Sequence, residues 1–492
     1  MRPNVLIYMT DQQRGDTVFP YNKAVAPNVE EFAKEGVAFD SAYTVAPHCC
    51  PSRVSLFSGL FPSQHGVWNN VDVGNAISRG PFDEVKLFSE SFQEAGYRTY
   101  YSGKWHVSNY ESPEDKGFDM YSVYDNYTYS GERTNLGPVV YEWEGYRKYK
   151  EQLQRNEAEI IRRGYDTYTH YKKVDSCEVD DTIINCGIEI LLDRENIDKK
   201  HSINKSKDAP WLQVISSNAP HDPYYVPQQF LDLYNIEDIQ LPNSYKDMME
   251  DKPALYRRTA DKFRQLTEDE YKESIRHYLA LCSYQDYNFG RVLEALKSTG
   301  EIDNTIVIYL SDHGDYMGEH GLWCKGLPCF EGAYHIPMIV RYPKGIQAPS
   351  RVVKDFVSIT DIAPTLLELC NVGHDRKLTG TSLVPYLLNK EVQNKQEEVY
   401  TQSNGNELYG IQRSVKTRQW KYVYNGFDYD ELYDLTNDPD EMVNLYDKYK
   451  DSQIVKDLSK KLWEFAYKTN DVCINPYIMV GLASYGPGII FE

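Results

Sequence analysis

The chain has 492 residues, of which 41% are hydrophobic and 26% charged, a composition typical of a globular protein and not of a disordered or fibrous one. This length is enough for one large domain and a smaller one with buried cores. Lys and Arg total 53 against 73 Asp and Glu, so the formal net charge is −20. Because so acidic a chain is unsuited to hold a nucleic-acid backbone over a wide face, we expect no nucleic-acid partner.

Cysteine content and apolar runs exclude two further classes. Nine cysteines in a chain of this length are too few for a disulfide scaffold. The longest apolar runs, such as Val5–Met9 and Thr305–Leu310, are far shorter than a membrane span, so we expect no membrane partner. The first residues lack the layout of a secretory signal peptide, which favours a cytoplasmic location, although a removed leader would leave the same sequence.

Short runs rich in Val, Ile, Leu and Tyr alternate with amphipathic segments over the first three quarters of the chain. This alternation predicts an α/β fold with a largely parallel central sheet flanked by helices. The predicted strands are Val5–Met9, Arg98–Tyr101, Leu212–Ser216, Thr305–Leu310 and Ile336–Arg341. The predicted helices are Val29–Glu35, Tyr284–Ser298 and Pro364–Leu369, the first two stopping at Gly36 and Gly300 as left-handed caps.

Two regions depart from this alternation. The segment Tyr121–Lys173 is rich in Tyr and charge without a clear period, and we interpret it as an insertion over one edge of the sheet. From about residue 376 the pattern changes to short strands over Val399–Asp434 and a closing helix at Asp451–Tyr467. These elements predict a smaller α+β C-terminal subdomain with a short antiparallel sheet. The predicted division is a large catalytic domain at 1–375 and a C-terminal subdomain at 376–492.

Polar side chains follow four of the predicted strands. In chain order they are Asp11 and Gln12, then Lys104 and His106, then His221 and Asp222, then Asp312 and His313. A single Asp after a strand is usually a helix cap or a turn residue. In an open α/β sheet, however, ligands bind outside the carboxyl ends of the strands, so four such groups indicate one site.

The pairs Asp11-Gln12 and Asp312-His313 suggest a metal site. Asp11, Gln12 and Asp312 offer the carboxylate and amide oxygens that calcium and magnesium prefer. The imidazole of His313 leaves room for manganese. The chain has no Cys-x-x-Cys pair, which argues against a structural zinc site. The alternative is that Asp11 caps a turn and Asp312 lies in an ordinary loop.

The segment from Pro47 to Arg53 carries the sharpest signal. Pro51 predicts the start of a helix that runs to Phe57 and stops at Gly59. Cys49 would then lie beside the N-terminus of that helix, where the dipole lowers a thiol pKa, and Arg53 adds a fixed positive charge. The alternative is that Cys49 and the next residue are buried structural cysteines, the commoner fate of cysteine.

The sequence Cys49-Cys50-Pro51-Ser52-Arg53, followed by Ser58-Gly59, resembles the C-x-P-S-R-x-x-x-x-S/T-G signature of the formylglycine-dependent sulfatases. These enzymes belong to the alkaline-phosphatase-like superfamily. Cys49 lies two residues before Pro51 and matches the modified position, whereas Cys50 occupies the variable one. Further blocks that resemble the family are Asn4–Ile7, Gly103–His106, Pro220–Pro223, Ser311–Asp315, Gly318–Gly321 with Lys325, and Glu431–Leu435.

Two positions depart from the common family pattern. Many sulfatases begin with two consecutive Asp, where this chain has Asp11-Gln12, and many have Asp-Asn where it has Asp312-His313. Both variants resemble a subset of the family that includes phosphonate and phosphodiester hydrolases. A phosphonate monoester or phosphodiester hydrolase of the same superfamily is therefore the alternative function.

The resemblance implies a cofactor and a mechanism. It implies that a formylglycine-generating enzyme oxidises Cys49 to formylglycine (3-oxoalanine), whose hydrate attacks sulfur. It implies a divalent metal, foremost Ca²⁺ with Mg²⁺ or Mn²⁺ as alternatives, held by Asp11, Gln12, Asp312, His313 and the modified Cys49. The further roles that it implies are Arg53 holding the hydrate, Lys104 and Lys325 binding sulfate oxygens, His106 as the base and His221 as the general acid.

These observations predict a sulfuric ester hydrolase. Its substrate is expected to be a small or terminal sulfated unit, because the net charge of −20 disfavours a long polyanion. We expect a saccharide, since the chain has 42 Tyr and 7 Trp. A different class, a carbohydrate-binding or scaffold protein without catalysis, applies if Cys49 is never modified. We expect the apolar tail Ile478–Glu492 to pack on the body or on a second subunit, which leaves an oligomer open.

Overall fold

The computed structural model describes residues 2–123, 154–162, 166–393, 395–406, 408–472, 475 and 479–492. The strands are β1 Asn4–Thr10, β2 Val37–Phe39, β3 Ala42–Tyr43, β4 Arg98–Gly103, β5 Met120–Val123, β6 Glu159–Arg162, β7 Asp166–Thr169, β8 Tyr171–Val174, β9 Trp211–Ser216, β10 Tyr224–Pro227, β11 Thr305–Ser311, β12 Met338–Arg341, β13 Arg351–Val353, β14 Val357–Ser358, β15 Val399–Gly405, β16 Tyr409–Lys416, β17 Trp420–Asn425 and β18 Glu431–Asp434. The helices are α1 Pro27–Lys34, α2 Cys49–Ser58, α3 Pro62–His65, α4 Phe88–Glu94, α5 Glu178–Leu192, α6 Arg194–Lys200, α7 Gln228–Leu231, α8 Ala254–Phe263, α9 Glu268–Ser298, α10 Glu331–Tyr334, α11 Ile362–Leu369, α12 Val384–Leu387, α13 Tyr446–Tyr449, α14 Gln453–Lys468 and α15 Met479–Leu482.

An eight-stranded sheet forms the centre of the molecule, with the strand order β13-β2-β12-β11-β1-β9-β4-β5. β1 runs parallel to β11 and β9, and β4 runs parallel to β9 and β5. β12 is antiparallel to both of its neighbours. The predicted largely parallel α/β sheet is therefore confirmed, with β12 as the reversed strand.

Both faces of this sheet are covered. Val5, Ile7 and Met9 of β1 enter one hydrophobic core, while Leu6 and Tyr8 enter the core on the opposite face. Every residue of β1 is buried. This double coverage explains why the central strands read as continuous apolar runs instead of alternating ones.

Some predicted helix ends differ from the structure. Helix α9 begins at Glu268 instead of Tyr284, because Thr267 caps it by accepting a hydrogen bond from the backbone of Glu270. Gly300, which follows α9, has the predicted left-handed φ of +74°. The prediction of a left-handed cap at Gly36 is wrong. A Cβ there would lie 2.7 Å from the backbone oxygen of Val340, so glycine serves close packing of two backbones.

The C-terminal part contains the predicted antiparallel sheet, formed by β15 to β18 in sequence order. Helix α14 packs against it with Trp463 in the shared core. The division at residue 376 stays a prediction. Of the predicted insertion Tyr121–Lys173, residues 124–153 and 163–165 lie outside the described residues. Within the part of the chain that the structure describes, no helix is both long and apolar enough to cross a membrane.

Candidate active site

Four strand ends deliver polar side chains to one edge of the central sheet. Asp11 follows β1, Lys104 follows β4, Asp312 follows β11, and His221 lies in the loop after β9. These strands are neighbours in the order β11-β1-β9-β4, so the side chains meet. Gly103, with a φ of +105°, lets β4 turn there, since a Cβ would lie 1.9 Å from a backbone oxygen of β9.

Cys49 is the first residue of helix α2, which begins two residues before the predicted start at Pro51. The helix is capped by Gly59, which has a left-handed φ of +68°. Its Sγ lies 3.2 Å from His313 Nε2, 3.5 Å from Lys104 Nζ and 3.8 Å from Asp11 Oδ1. Burial opposes ionisation of the thiol, but Lys104, Lys325 and His313 outweigh it and hold the Cys49 pKa well below its ordinary value. The site is therefore built to stabilise negative charge at this position.

Arg53, one turn further along α2, lies between two carboxylates. It donates to Asp11 Oδ2 at 2.7 Å and to Asp312 Oδ2 at 2.8 Å, and all three side chains are completely buried. Burial and the Cys49 sulfur oppose ionisation of Asp11, but Lys104, His221 and Arg53 hold its pKa far below the ordinary value. The pKa of Asp312 is raised, chiefly by burial and by the charge of Asp11.

The geometry of these residues fits a divalent cation. Asp11, Cys49, Asp312 and His313 each present a ligand atom, and these atoms lie within 4.8 Å of one another. All four residues are buried, and a cation among them would relieve the repulsion that raises the pKa of Asp312. Carboxylate oxygens with one imidazole suit a hard or borderline cation.

Gln12 lies beside this set, but its side chain has other partners. Its Oε1 accepts from Lys325 Nζ at 2.5 Å, and its Nε2 donates to Asp315 Oδ2 at 2.6 Å. Its backbone N–H donates to Asp312 Oδ1 at 3.1 Å, in a left-handed conformation with φ +67°. Gln12 thus connects Asp312 with Lys325. That Gln12 also binds the metal stays a prediction.

Two lysines and two histidines surround Cys49. Lys104 Nζ lies 2.7 Å from Asp11 Oδ2, and Lys325 Nζ lies 2.5 Å from His221 Nε2. The other ring nitrogen of His221 lies 2.6 Å from the backbone oxygen of Asp222. His106 Nε2 lies 2.9 Å from Asp72 Oδ1. The structure thus brings together every side chain that the sequence analysis selected for catalysis.

Three residues of the site escaped the sequence analysis. Asp72 contacts His106, and Tyr168 of β7 donates from its hydroxyl to Asp222 Oδ2 at 2.8 Å. Asn406, in the C-terminal part, accepts from the backbone N–H of Asn70 at 2.8 Å. None of the three lies in a recognisable motif, so only the folded chain reveals their proximity.

A cleft with a volume of about 720 Å³ opens above Cys49. Its size suits a small organic ligand. It is lined by the site residues, by amide and aromatic side chains, and by the positively charged Arg162 and Lys262. The residues that line it include Cys49, Asn70, Asp72, Lys104, His106, Tyr168, His221, Asp222, Phe263, Cys324, Lys325 and Asn406.

Two family models match the sequence. Residues 3–372 match the family model described as sulfatase. Residues 318–468 match the model described as N-sulphoglucosamine sulphohydrolase, C-terminal. The chain is 31% identical over 461 residues to the choline-sulfatase of Rhizobium meliloti, covering 90% of this chain and 82% of that protein.

Two solved structures share the fold. BT4656, described in complex with its substrate D-glucosamine-2-N,6-O-disulfate, is 23% identical with a TM-score of 0.73, covering 96% of this chain and 99% of that one. The phosphonate monoester hydrolase of Agrobacterium radiobacter is 21% identical with a TM-score of 0.75, covering 96% of this chain and 97% of that one. At these identities the likeness shows the fold alone.

Proposed function

The chain belongs to the sulfatase family, and from this premise we propose that it hydrolyses the sulfate ester of a small or terminal sulfated saccharide. Hydrolysis of sulfuric esters follows from the family and from named relatives such as the choline-sulfatase. The substrate class and the residue roles are our proposal. The observation that carries them is the position of Cys49, buried at the start of α2 among Lys104, His313 and Asp11.

The family implies formylglycine at position 49 and a divalent cation, for which we propose Ca²⁺ bound by Asp11, Gln12, Asp312 and His313. When present, the two groups supply an oxygen nucleophile and the Lewis acid that activates it. Arg53 holds Asp11 and Asp312 in place through its two ion pairs. A formylglycine-generating enzyme is the partner that this proposal requires.

The cations around Cys49 suit a sulfate group. Lys104 Nζ lies 3.5 Å from Cys49 Sγ, and Lys325 lines the same cleft. Two ammonium groups fixed in a largely buried site stabilise charge that develops on sulfate oxygens in the transition state. Both lysines have a raised pKa, because nearby negative groups outweigh burial. These are chiefly Asp11 and the Cys49 sulfur for Lys104, and the Cys49 sulfur and Asp222 for Lys325. The lysines therefore stay charged at neutral pH.

We propose proton-transfer roles for the two histidines. His221 lies beside Lys325 with one ring nitrogen fixed on the backbone of Asp222, and we assign it to protonate the leaving alcohol. His106 is held by Asp72, and we assign it to remove the proton from the second hydroxyl of the nucleophile. Positioned acids and bases of this kind each contribute about 10²–10⁴-fold in rate.

The outer cleft supports a saccharide as the leaving group. Asn70, Asp72 and Asn406 contribute groups that bond hydroxyls, and Tyr168 and Phe263 contribute aromatic rings. A volume of about 720 Å³ accommodates one or two sugar units and not a long chain. The disulfated glucosamine that is the substrate of BT4656 belongs to the same chemical class.

A screen of sulfated mono- and disaccharides, with released inorganic sulfate as the readout, tests this proposal. We expect turnover of at least one sulfated sugar, together with a mass spectrum in which the peptide containing Cys49 carries the formylglycine mass change. Protein from its native host with an unmodified thiol and no turnover would favour a carbohydrate-binding or scaffold role instead. Turnover of aryl sulfates alone would contradict the saccharide assignment.

A phosphonate monoester or phosphodiester hydrolase is the second candidate. It is favoured by Gln12 and His313, which replace the commoner Asp and Asn of sulfatases at this site, and by the fold of the Agrobacterium radiobacter hydrolase. Sulfate monoesters and phosphodiesters both carry one negative charge, so the same pocket can hold either. A higher kcat/KM for an aryl phosphodiester than for the matched aryl sulfate would favour this candidate.

A further inference from the structure

Three metal-ligating side chains converge beside Cys49 without belonging to the cation site described above. They are Cys50, Asp72 and His106, whose ligand atoms lie within 4.8 Å of one another. Asp72 and His106 line the cleft, and the Asp72 side chain is 35% exposed. Cys50 is completely buried. Two of the three side chains therefore border the cleft, and the sulfur of Cys50 lies within 4.8 Å of their ligand atoms.

The backbone fixes these side chains in advance. The N–H of Val71 donates to Cys50 Sγ at 3.3 Å, and the N–H of Cys50 donates to Asn70 Oδ1 at 3.1 Å. These two bonds hold the start of α2 against the segment that carries Asp72. On the other side, Asp72 Oδ1 lies 2.9 Å from His106 Nε2. A ligand set held in this way loses little conformational entropy on binding.

Once Cys49 has become formylglycine, the first site has lost its thiol, whereas this cluster keeps the thiol of Cys50. One thiolate, one imidazole and one carboxylate are the ligands of Zn²⁺, and three protein ligands with an open fourth position are typical of an accessible zinc site. The site around Asp11 and Asp312 offers two carboxylates to a harder cation. The two clusters should therefore select different metals.

We propose that Cys50, Asp72 and His106 form a second metal site, which takes Zn²⁺ and inhibits the enzyme when filled. On binding, a zinc–sulfur bond forms, the S–H bond of Cys50 breaks, its proton passes to solvent, and no electron is transferred. Zinc also binds a ring nitrogen of His106, and any proton held on that nitrogen passes to solvent as well. The imidazole then cannot accept a proton during turnover. The inhibition rests on the proposed function, whereas the binding does not.

Cobalt absorption tests the binding part without any need for activity. Co²⁺ replaces Zn²⁺ in such sites, and a cysteine thiolate gives it a charge-transfer band in the near ultraviolet. The titration uses Cys49→Ala protein, so that the neighbouring thiol contributes nothing. We expect a band that Zn²⁺ displaces and that the additional change Cys50→Ser removes. No band in Cys49→Ala protein, or a band that survives Cys50→Ser, would overturn the site.

The inhibition is measured on formylglycine-bearing enzyme at buffered free Zn²⁺ with saturating Ca²⁺, using an aryl sulfate. We expect the Cys50→Ser variant to need at least about tenfold more Zn²⁺ for half-inhibition, because a sulfur ligand is lost. Cys324→Ser is the matched control, since Cys324 lines the same cleft outside the cluster, and it should keep the parental sensitivity. Equal sensitivity of Cys50→Ser would mean that zinc acts at the Asp11 site. If the protein had no sulfatase activity, the proposed function would fail in this assay, and the cobalt titration would still show whether the metal site exists.

Discussion

Arg53 and Asp312 form an ion pair that is closed off from solvent, with Nε 2.8 Å from Oδ2 and both side chains completely buried. The same guanidinium also bonds Asp11, so one fixed cation compensates two carboxylates that face the metal site. A planar guanidinium can bridge two acids in this way, whereas a single ammonium cannot present the same fork. The pair therefore couples the stability of the fold to the electrostatics of the site.

Replacing this cation should destabilise the protein strongly. We expect Arg53→Ala to lower the free energy of unfolding by about 3–5 kcal/mol, because it leaves buried carboxylates without a partner. Arg53→Lys should lose less and still fold. Urea denaturation with and without divalent cation measures both variants, and added cation should recover part of the loss because it compensates the same carboxylates.

The matched control for Arg53 is Arg98→Ala. Arg98 lies 3.0 Å from Asp198 in another largely buried pair, outside the cleft. Its loss should destabilise the protein equally with and without added cation. If the Arg53 variants also showed no dependence on the cation, the proposed coupling between Arg53 and the metal site would be wrong.

Cys49→Ala should abolish turnover while the protein stays folded. Removal of a catalytic nucleophile lowers the rate by several orders of magnitude. Alanine fits a helix start without strain, and Arg53, which ties the two acids together, is untouched. Sulfate release and a thermal melt report the two properties separately. Parental activity in this variant would contradict the whole mechanism. Cys50→Ser serves as the control and should keep its activity, because Cys50 occupies the variable position of the motif.

Much of this site could be predicted because its residues follow strands or begin a helix. Asp11, Lys104 and Asp312 come directly after strands β1, β4 and β11, and parallel strands bring such positions to one edge. Tyr168 and Asn406 could not be predicted, since their contacts with Asp222 and Asn70 depend on how distant segments pack. The reversed direction of β12 escaped for a similar reason, because the local pattern of a strand does not encode its pairing direction.

Removal of the divalent cation should stop turnover and lower the melting temperature. Without it, Asp11 and Asp312 repel each other, and the raised pKa of Asp312, which comes chiefly from burial and from Asp11, reflects that cost. Dialysis against a chelator followed by Ca²⁺, Mg²⁺ or Mn²⁺ identifies the metal through recovery of both properties. Asp312→Asn should weaken recovery by metal. Full activity after exhaustive chelation would contradict a metal at this site.

Tyr168 should act on catalysis through Asp222 and His221. Its hydroxyl donates to Asp222 Oδ2 at 2.8 Å, and the other carboxylate oxygen lies 3.3 Å from His221 Nδ1. Tyr168→Phe removes the hydroxyl and leaves the ring in the cleft wall. We expect kcat to fall about tenfold, equivalent to roughly 1.4 kcal/mol, with a smaller change in KM, because the acid is less well oriented.

The dependence on the leaving group separates this role from a merely structural one. An alcohol of high pKa needs a proton from His221 as it departs, whereas a nitrophenol leaves readily without one. The loss in Tyr168→Phe should therefore be largest for poor leaving groups and nearly vanish for nitrophenyl sulfate. Tyr225→Phe is the control, because the Tyr225 hydroxyl donates to the backbone of Thr169, at 3.4 Å, and it should behave like the parent. An equal loss across the series would show that Tyr168 only supports the cleft wall and does not orient the acid.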